Sequence, residues 1–412
     1  MRVQVSLPSY KQIEVELNPK KSGKDLKEIV CKKLRIEPEL TKLLVNGRRL
    51  KDETRLSTVK GTVIVDYLWA RHLLLWGLEG QGRIRNSSIL LAGAGAIGNE
   101  VAKNLAMLGV GRILIADRDV VEMSNVSRMI FFQESDLGEN KAEVLAKNVH
   151  RKYPFVETTA FRGDLESMPL KFYLDSNVIV CGLDNVVSRI FLAQTCRRYC
   201  IPLVDGGITG LNGRVHVYLP PGDACPVCMF PPNQYSKIVG LRNPCDAPLD
   251  QEAVASFSTT ISLVSSIVAQ EAIKLILGID EYRIKAKWPD SSGQPLRSVL
   301  FMDLKNNRYT TMDLKRGDKC YVCGREGTAR EPAQISDIPI AAIRQPKHLL
   351  DEKLRLKTKL GGGVLQILAE TSQGTTPIGN SKLIKGLSRG DYLRILAEDK
   401  NGEFHESILR LS

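Results

Sequence analysis

Three features of the 412-residue sequence predict an α/β fold: a doubly wound, mostly parallel nucleotide-binding sheet with a four-cysteine zinc site, flanked by two small β-grasp-like α+β modules. From Arg71 onward, apolar runs alternate with helical patterns and end on glycine or aspartate. Two Cys-x-x-Cys pairs lie 91 residues apart. The first 66 residues and those from about Ala333 carry instead the period-two alternation of small sheets. The expected boundaries are 1–66, 67–332 and 333–412.

The first segment reads strand, turn, strand, helix, strand: RVQVSL, a turn near Pro8 to Lys11, QIEVEL, then a helix from about Gly23 to Leu34. After Pro38 follow KLLVNG, the polar stretch RRLKDETRL and a last strand, TVIVDYL. The order and the stretch KLLVNGRRLKDETRLS resemble ubiquitin. Ubiquitin ends in a free Gly-Gly tail, whereas here the last strand runs on through Tyr67, Leu68 and Trp69. The resemblance therefore implies a fused ubiquitin-like appendage that is not itself activated as a substrate.

In the central segment SSILLAGAG is a continuous apolar strand of the kind buried on both faces of a parallel sheet, and NEVAKNLAML continues it as a helix. RILIAD and NVIVCGLD repeat the strand, and a ligand is expected at the carboxyl ends of this set. The last segment offers VLQILAE, DYLRILAED, an Asn401-Gly402 turn and EFHESILRL, a hairpin signal.

Composition narrows the function classes. Hydrophobic residues make up 43%, enough for real cores. The start alternates rather than forming a charged and then an apolar block, and no apolar run approaches the roughly 18 residues of a membrane span. A cytoplasmic protein with no membrane partner is expected. The net charge of +12 is scattered among acids, about half of the excess lying in the first 66 residues, so no nucleic-acid stripe is read and an acidic protein partner is open.

Gly93-Ala-Gly95-Ala-Ile-Gly98 follows a strand and opens a helix, where backbone amides receive phosphate. Alone it would suit a dinucleotide with Asp117 on a ribose hydroxyl. The flanks DRDVVEMSNVSRMIFF, GENKAEVLAKNV and CGLDNVVSR add Asn125, Arg128, Lys141, Asp184 and Asn185, a set better suited to a magnesium-bound triphosphate. Taken singly, Asp184 could cap a helix and Lys141 could be a solvated helix residue.

At these residues the block from about Arg71 to Gly278 resembles the adenylation domain shared by ubiquitin-activating enzymes and the bacterial enzymes that adenylate sulfur-carrier proteins. The family pattern falls on Asp117, Asp119, Val121, Ser124, Asn125 and Arg128, with Met129 in place of its glutamine. The resemblance implies ATP, Lys141 on the phosphates, Asp184 as magnesium ligand, and Arg71 as an arginine reaching a dimer partner's nucleotide. The last segment, by its β-rich pattern, resembles the carboxyl-terminal ubiquitin-fold domain of ubiquitin-activating enzymes.

Cys225-Pro-Val-Cys228 and Cys320-Tyr-Val-Cys323 suit a closed, non-catalytic zinc site, a redox dithiol being the alternative, and the family carries the zinc arrangement. Cys31, Cys181, Cys196 and Cys200 read as core residues. Cys245 lies in the irregular crossover segment, about 229–257, with Arg242 near enough to favour a thiolate. By resemblance it is the candidate thioester nucleophile, although the small homodimeric activators place theirs nearer Ala253.

The expected function is ATP-dependent activation of a ubiquitin-like modifier at its C-terminal glycine by a homodimer, with transfer to a conjugating enzyme. The alternatives are a sulfur-carrier adenylyltransferase, a non-catalytic scaffold subunit and, more distantly, a nicotinamide dehydrogenase.

Overall fold

The computed structural model of the chain describes residues 1–7, 12–230, 256–297, 299–329, 332–338, 363–378, 387–398 and 404–412. They form two compact units that cut across the three expected segments: residues 1–87, 107–111 and 273–294, and residues 88–106, 112–272 and 295–412.

In the first unit, β1 (Arg2–Ser6), β2 (Gln12–Glu16), α1 (Gly23–Leu34), β3 (Thr41–Val45), β4 (Arg48–Arg49) and β5 (Val63–Tyr67) follow in the expected order. The sheet runs β2-β1-β5-β3-β4 with β1 parallel to β5. Alternate residues Val3, Val5, Val15, Leu43, Val63 and Val65 are buried, as are Leu26, Val30 and Leu34 of α1. The helix begins at a capping box of Ser22 and Asp25 and stops at Arg35 in the left-handed region, so local signals fix both ends. The Pro8 to Lys11 turn lies outside the described residues.

The chain after β5 is tied down. Trp69 is 3% exposed, donates from Nε1 to the Met107 carbonyl at 2.9 Å, and fills the space over Gly109, where an added Cβ would sit 2.6 Å from the indole. In α2 (Leu73–Arg85), kinked at Gly77 (φ 67°), Gln81 donates to the Leu108 carbonyl and Arg83 to the Leu277 carbonyl. Arg85 lies over the Trp69 ring at 5.0 Å and bonds Glu37 at 2.7 Å, while Glu37 also accepts the Tyr67 hydroxyl at 2.9 Å. This shielded cluster fastens the ubiquitin-like module within its unit.

The second unit is built on an eight-stranded sheet. Its elements are β6 (Ser88–Ala92), α3 (Ala96–Leu108), β7 (Arg112–Asp117), α4 (Met123–Val126), α5 (Lys141–Lys152), β8 (Glu157–Arg162), α6 (Leu170–Leu174), β9 (Val178–Cys181), α7 (Val186–Tyr199), β10 (Leu203–Thr209), β11 (Asn212–Tyr218), α8 (Ser258–Lys285), β12 (Val299–Asp303) and β13 (Arg308–Met312). The order is β13-β12-β11-β10-β9-β6-β7-β8: β10 through β8 are parallel, and the other three add antiparallel. All five residues of β6 are buried, as its unbroken apolar run requires. The helices α3 and α8 give residues to both units.

One expectation needs correction. By length and composition α8 could cross a membrane, with a mean hydropathy of 1.5 over 18 residues. Scattered Ser, Thr and Gln break its apolar runs and hid this in the sequence. Two-thirds of that window (67%) is buried, which is the pattern of a core helix.

The C-terminal sheet is β14 (Gln334–Ile338), β15 (Gly363–Thr371), β16 (Gly374–Pro377), β17 (Tyr392–Glu398) and β18 (Phe404–Leu411), ordered β14-β18-β17-β15-β16. The expected hairpin partners β17 and β18 pair antiparallel; the Asn401-Gly402 turn between them lies outside the described residues. β14 pairs in parallel with β18, an order unlike that of the N-terminal module. Glu406 of β18 accepts from Tyr199 and Arg198 of α7 and from Arg394 of β17. Lys171 of α6 bonds the Gly390 carbonyl and pairs with Asp175 and Asp391, and Tyr392 donates to Asp175. This sheet is thus pinned at two places on α6 and α7.

Candidate functional site: a glycine loop at the sheet's switch point

The chain order reverses at β6, which pairs with β7 on one side and β9 on the other. Residues leaving the carboxyl ends of these strands therefore converge, and the loops there carry the predicted motifs. Gly93 follows β6 with φ +99°, a conformation that favours glycine, and its amide bonds the Ala116 carbonyl at 2.9 Å. A Cβ on Gly98 would sit 1.9 Å from the Gly93 carbonyl, so α3 starts tight against the loop. Among the described residues a Cβ on Gly95 would meet nothing within 4 Å, so none of them blocks an incoming group there.

Asp117, at the end of β7, spends its carboxylate on backbone amides. One oxygen accepts from Ala94 at 2.7 Å and the other from Asp119 at 2.8 Å. Burial raises its pKa, and the two amide bonds partly offset this. The residue predicted to hold a ribose is thus first a brace for the glycine loop. Asp119 is exposed and pairs with Lys141 Nζ at 3.2 Å, bringing two predicted residues together.

Asn125 is 2% exposed; its Oδ1 accepts the Glu122 amide at 3.0 Å and its Nδ2 donates to Ser124 Oγ at 3.2 Å. Its side chain organises α4. Arg128 follows, with a buried Nε that has no partner among the described residues, an orphan donor that suits an anion. The loop beyond is held by two amides that the motif reading missed. Asn99 of α3 accepts the Phe131 amide at 2.9 Å, and Asn148 of α5 donates to the Phe131 carbonyl at 2.7 Å.

Asp184 lies exposed beyond β9. The cap of α7 is its neighbour Asn185, whose Oδ1 accepts the Ser188 amide at 2.8 Å, so Asp184 is not engaged in capping. Behind it, the buried Arg189 donates to the Leu183 and Gly206 carbonyls and to Asp205, which Arg214 also engages at 2.7 Å. These three charges fix the turn carrying Asp184; Arg189 ends the stretch CGLDNVVSR without a role assigned to it, and Asp205 and Arg214 lie outside the motifs. Arg71 is exposed in the first unit. Cys245 and most of the crossover segment lie outside the described residues.

The cysteines gather as predicted. Cys225, Cys228, Cys320 and Cys323 place all four sulfurs within 4.8 Å of one another, with Cys225–Cys228 3.8 Å, Cys225–Cys320 3.6 Å and Cys228–Cys323 3.4 Å apart. Tetrahedral zinc with metal–sulfur bonds of about 2.3 Å has edges of about 3.8 Å. The set can hold a metal and has no free coordination position. Cys31, Cys181 and Cys196 are buried; Cys200 ends α7 in the left-handed conformation, half-buried.

Together, the open glycine loop and the charged residues beside it define a nucleotide-binding adenylation domain joined to a ubiquitin-like module. The chain belongs to the ThiF family, which matches residues 69–322, and residues 3–65 match the Ubiquitin family.

Among similar proteins, the SAMP-activating enzyme E1 of Haloferax volcanii is 31% identical over 63% of this chain and 89% of its own length. The sulfur carrier protein ThiS adenylyltransferase of Escherichia coli is 28% identical over 62% and 94%. The NEDD8-activating enzyme E1 catalytic subunit of Saccharomyces cerevisiae is 38% identical over 34% of this chain, a match spanning half (50%) of that protein. In fold, the chain resembles the crystal structure of E. coli MccB with ATP, at a TM-score of 0.50 and 21% identity over 63% of this chain and 74% of that one.

Proposed function

We propose that this chain activates a ubiquitin-like protein by ATP-dependent adenylation of its C-terminal glycine. The observation that carries the reading is the meeting of the Gly93–Gly98 loop, the Asp119–Lys141 pair and Asp184, which takes no part in capping α7, at the ends of adjacent strands. Magnesium-bound ATP supplies an electrophilic α-phosphorus. A glycine carboxylate oxygen bonds to it as the bond to pyrophosphate breaks.

Two anions must approach for this, and the chain's residues reduce the repulsion. Arg128 offers its guanidinium, whose Nε has no partner among the described residues, and Lys141 its ammonium to the phosphates, and Asp184 would hold the magnesium. Asn125 supports α4, Asp117 holds the loop for the ribose and phosphates, and Asn185 keeps the turn after β9 in place. The four cysteines hold a structural zinc.

In this reading Cys245 then attacks the activated carbonyl as a thiolate, AMP leaves, and a conjugating enzyme recruited by the C-terminal module accepts the thioester. The enzyme works in the cytoplasm as a homodimer in which Arg71 reaches the partner's nucleotide. A second reading, a sulfur-carrier adenylyltransferase that stops at the adenylate, is favoured by the Escherichia coli relative's name.

Labelled pyrophosphate exchange into ATP tests the first step. Exchange that requires a ubiquitin-like protein with an intact terminal glycine is expected; none with any such protein would sink the proposal. A thiol-sensitive conjugate lost in Cys245→Ala supports the thioester step, and exchange without any such conjugate favours the second reading.

A further inference from the structure

We propose that Asn140, which the motif GENKAEVLAKNV contains without a role assigned to it, positions the charged pair of the nucleotide site; the proposal rests on that site binding ATP. Asn140 is 3% exposed and uses its whole amide. Its Nδ2 donates to the carbonyls of Asp117 and Asp119, each at 3.1 Å, and its Oδ1 accepts the amides of Ala142 and Glu143 at 3.1 and 3.2 Å. One side chain thus caps α5 and stitches that cap to the end of β7.

The consequence for the site is geometric. Lys141 is the first residue of α5, and its own amide bonds the Asp119 carbonyl at 2.9 Å while its Nζ reaches the Asp119 carboxylate. Asp117, whose carbonyl Asn140 holds, braces Ala94 of the glycine loop. Lys141, Asp119 and the loop therefore share one reference point. Because Asn140 is buried, no solvent replaces its two donations without rearrangement. It acts through these neighbours and is a positioning residue.

Substitution can separate the cap from the stitch. Asp is as good an N-cap as Asn, so Asn140→Asp keeps the helix start but turns a carboxylate oxygen toward two carbonyls 3.1 Å away. Asn140→Ser also keeps a cap acceptor and removes the stitch without adding charge. The purified full-length protein is titrated with a fluorescent ATP analogue, with circular dichroism and thermal melts recorded for each variant and Lys141→Ala as reference.

Asn140→Asp is expected to weaken the analogue about tenfold and Asn140→Ser about threefold, with native spectra and melting temperatures close to wild type. Ser22→Ala, which removes the α1 cap in the ubiquitin-like module, should bind the analogue as wild type does. Wild-type affinity in Asn140→Asp alongside a weakened Lys141→Ala overturns the positioning role alone. Wild-type affinity in both overturns the nucleotide-site reading and the positioning role with it. Weakening that merely tracks a fall in melting temperature assigns Asn140 to folding and also overturns the proposal.

Discussion

Asp117 and Ala94 are joined by a 2.7 Å hydrogen bond from the Ala94 amide to the Asp117 carboxylate, so the loop after β6 is held by the residue that ends β7. The glycines of that loop then separate into two kinds. Gly98 has no room for a side chain, whereas none of the described residues comes within 4 Å of a Cβ on Gly95. Gly95→Ala is expected to keep the wild-type melting temperature within about 2 °C, since surface changes usually cost under about 0.5 kcal/mol, yet weaken ATP at least tenfold. Gly98→Ala should lose stability and ATP together. Equal thermal damage in both variants would refute the distinction.

Removing metal should act on the fold before the chemistry. The four sulfurs bring the ends of residues 225–228 and 320–323 together, and structural zinc contributes about 10–16 kcal/mol of apparent binding free energy in small domains. One zinc per chain is expected by elemental analysis, and Cys225→Ser should lower both zinc content and thermal stability. A metal-free preparation that melts like the native protein would contradict this.

His216 gives the stability a pH dependence. It is 3% exposed, and burial, with Arg214 adding to it, lowers its pKa to about 4 from an unfolded value of about 6.5. The folded state holds the neutral ring, so its contribution is complete above pH 6.5 and is lost as pH falls toward 4, up to about 3 kcal/mol. Urea midpoints of wild type and His216→Gln between pH 7.5 and 4.5 isolate this from acid loss of metal. The difference between the two proteins should change across that range; parallel curves would exclude His216 as the source.

The Trp69 anchor predicts a fourth kind of effect. Trp69→Ala removes a buried ring, the bond to the Met107 carbonyl and the surface under Arg85, at a cost of about 3–5 kcal/mol. Limited proteolysis should then cut near residue 70 while the ubiquitin-like module keeps its own fold. Wild-type resistance there would show that Glu37 and Arg85 suffice.

Much of this was legible in the sequence because its signals are local. The helix over 23–34, the strands Ser88–Ala92 and Arg112–Asp117 and the two cysteine knuckles lie where short-range pattern puts them, while the strand read to Asp184 stops at Cys181. Asn140 was also within reach, since an asparagine immediately before a helical run is a capping signal. Its donations to the Asp117 and Asp119 carbonyls were not, because they depend on how α5 meets β7. The same limit hid Arg189 with Asp205, Trp69 with Met107, and the parallel pairing of β14 with β18, all contacts between distant positions. Asp117 was assigned to a ligand because pattern shows which residue ends a strand, not which backbone amides claim it.

The bond from Arg83 to the Leu277 carbonyl spans 194 residues of chain. A ribosome adding about 5–20 residues per second needs about 10–40 seconds to deliver the second partner after the first. The first unit is thus completed only when residues 273–294 have been made, long after its ubiquitin-like module. A stop in translation before residue 273 would release a chain with its ubiquitin-like module synthesised and its seat unfinished.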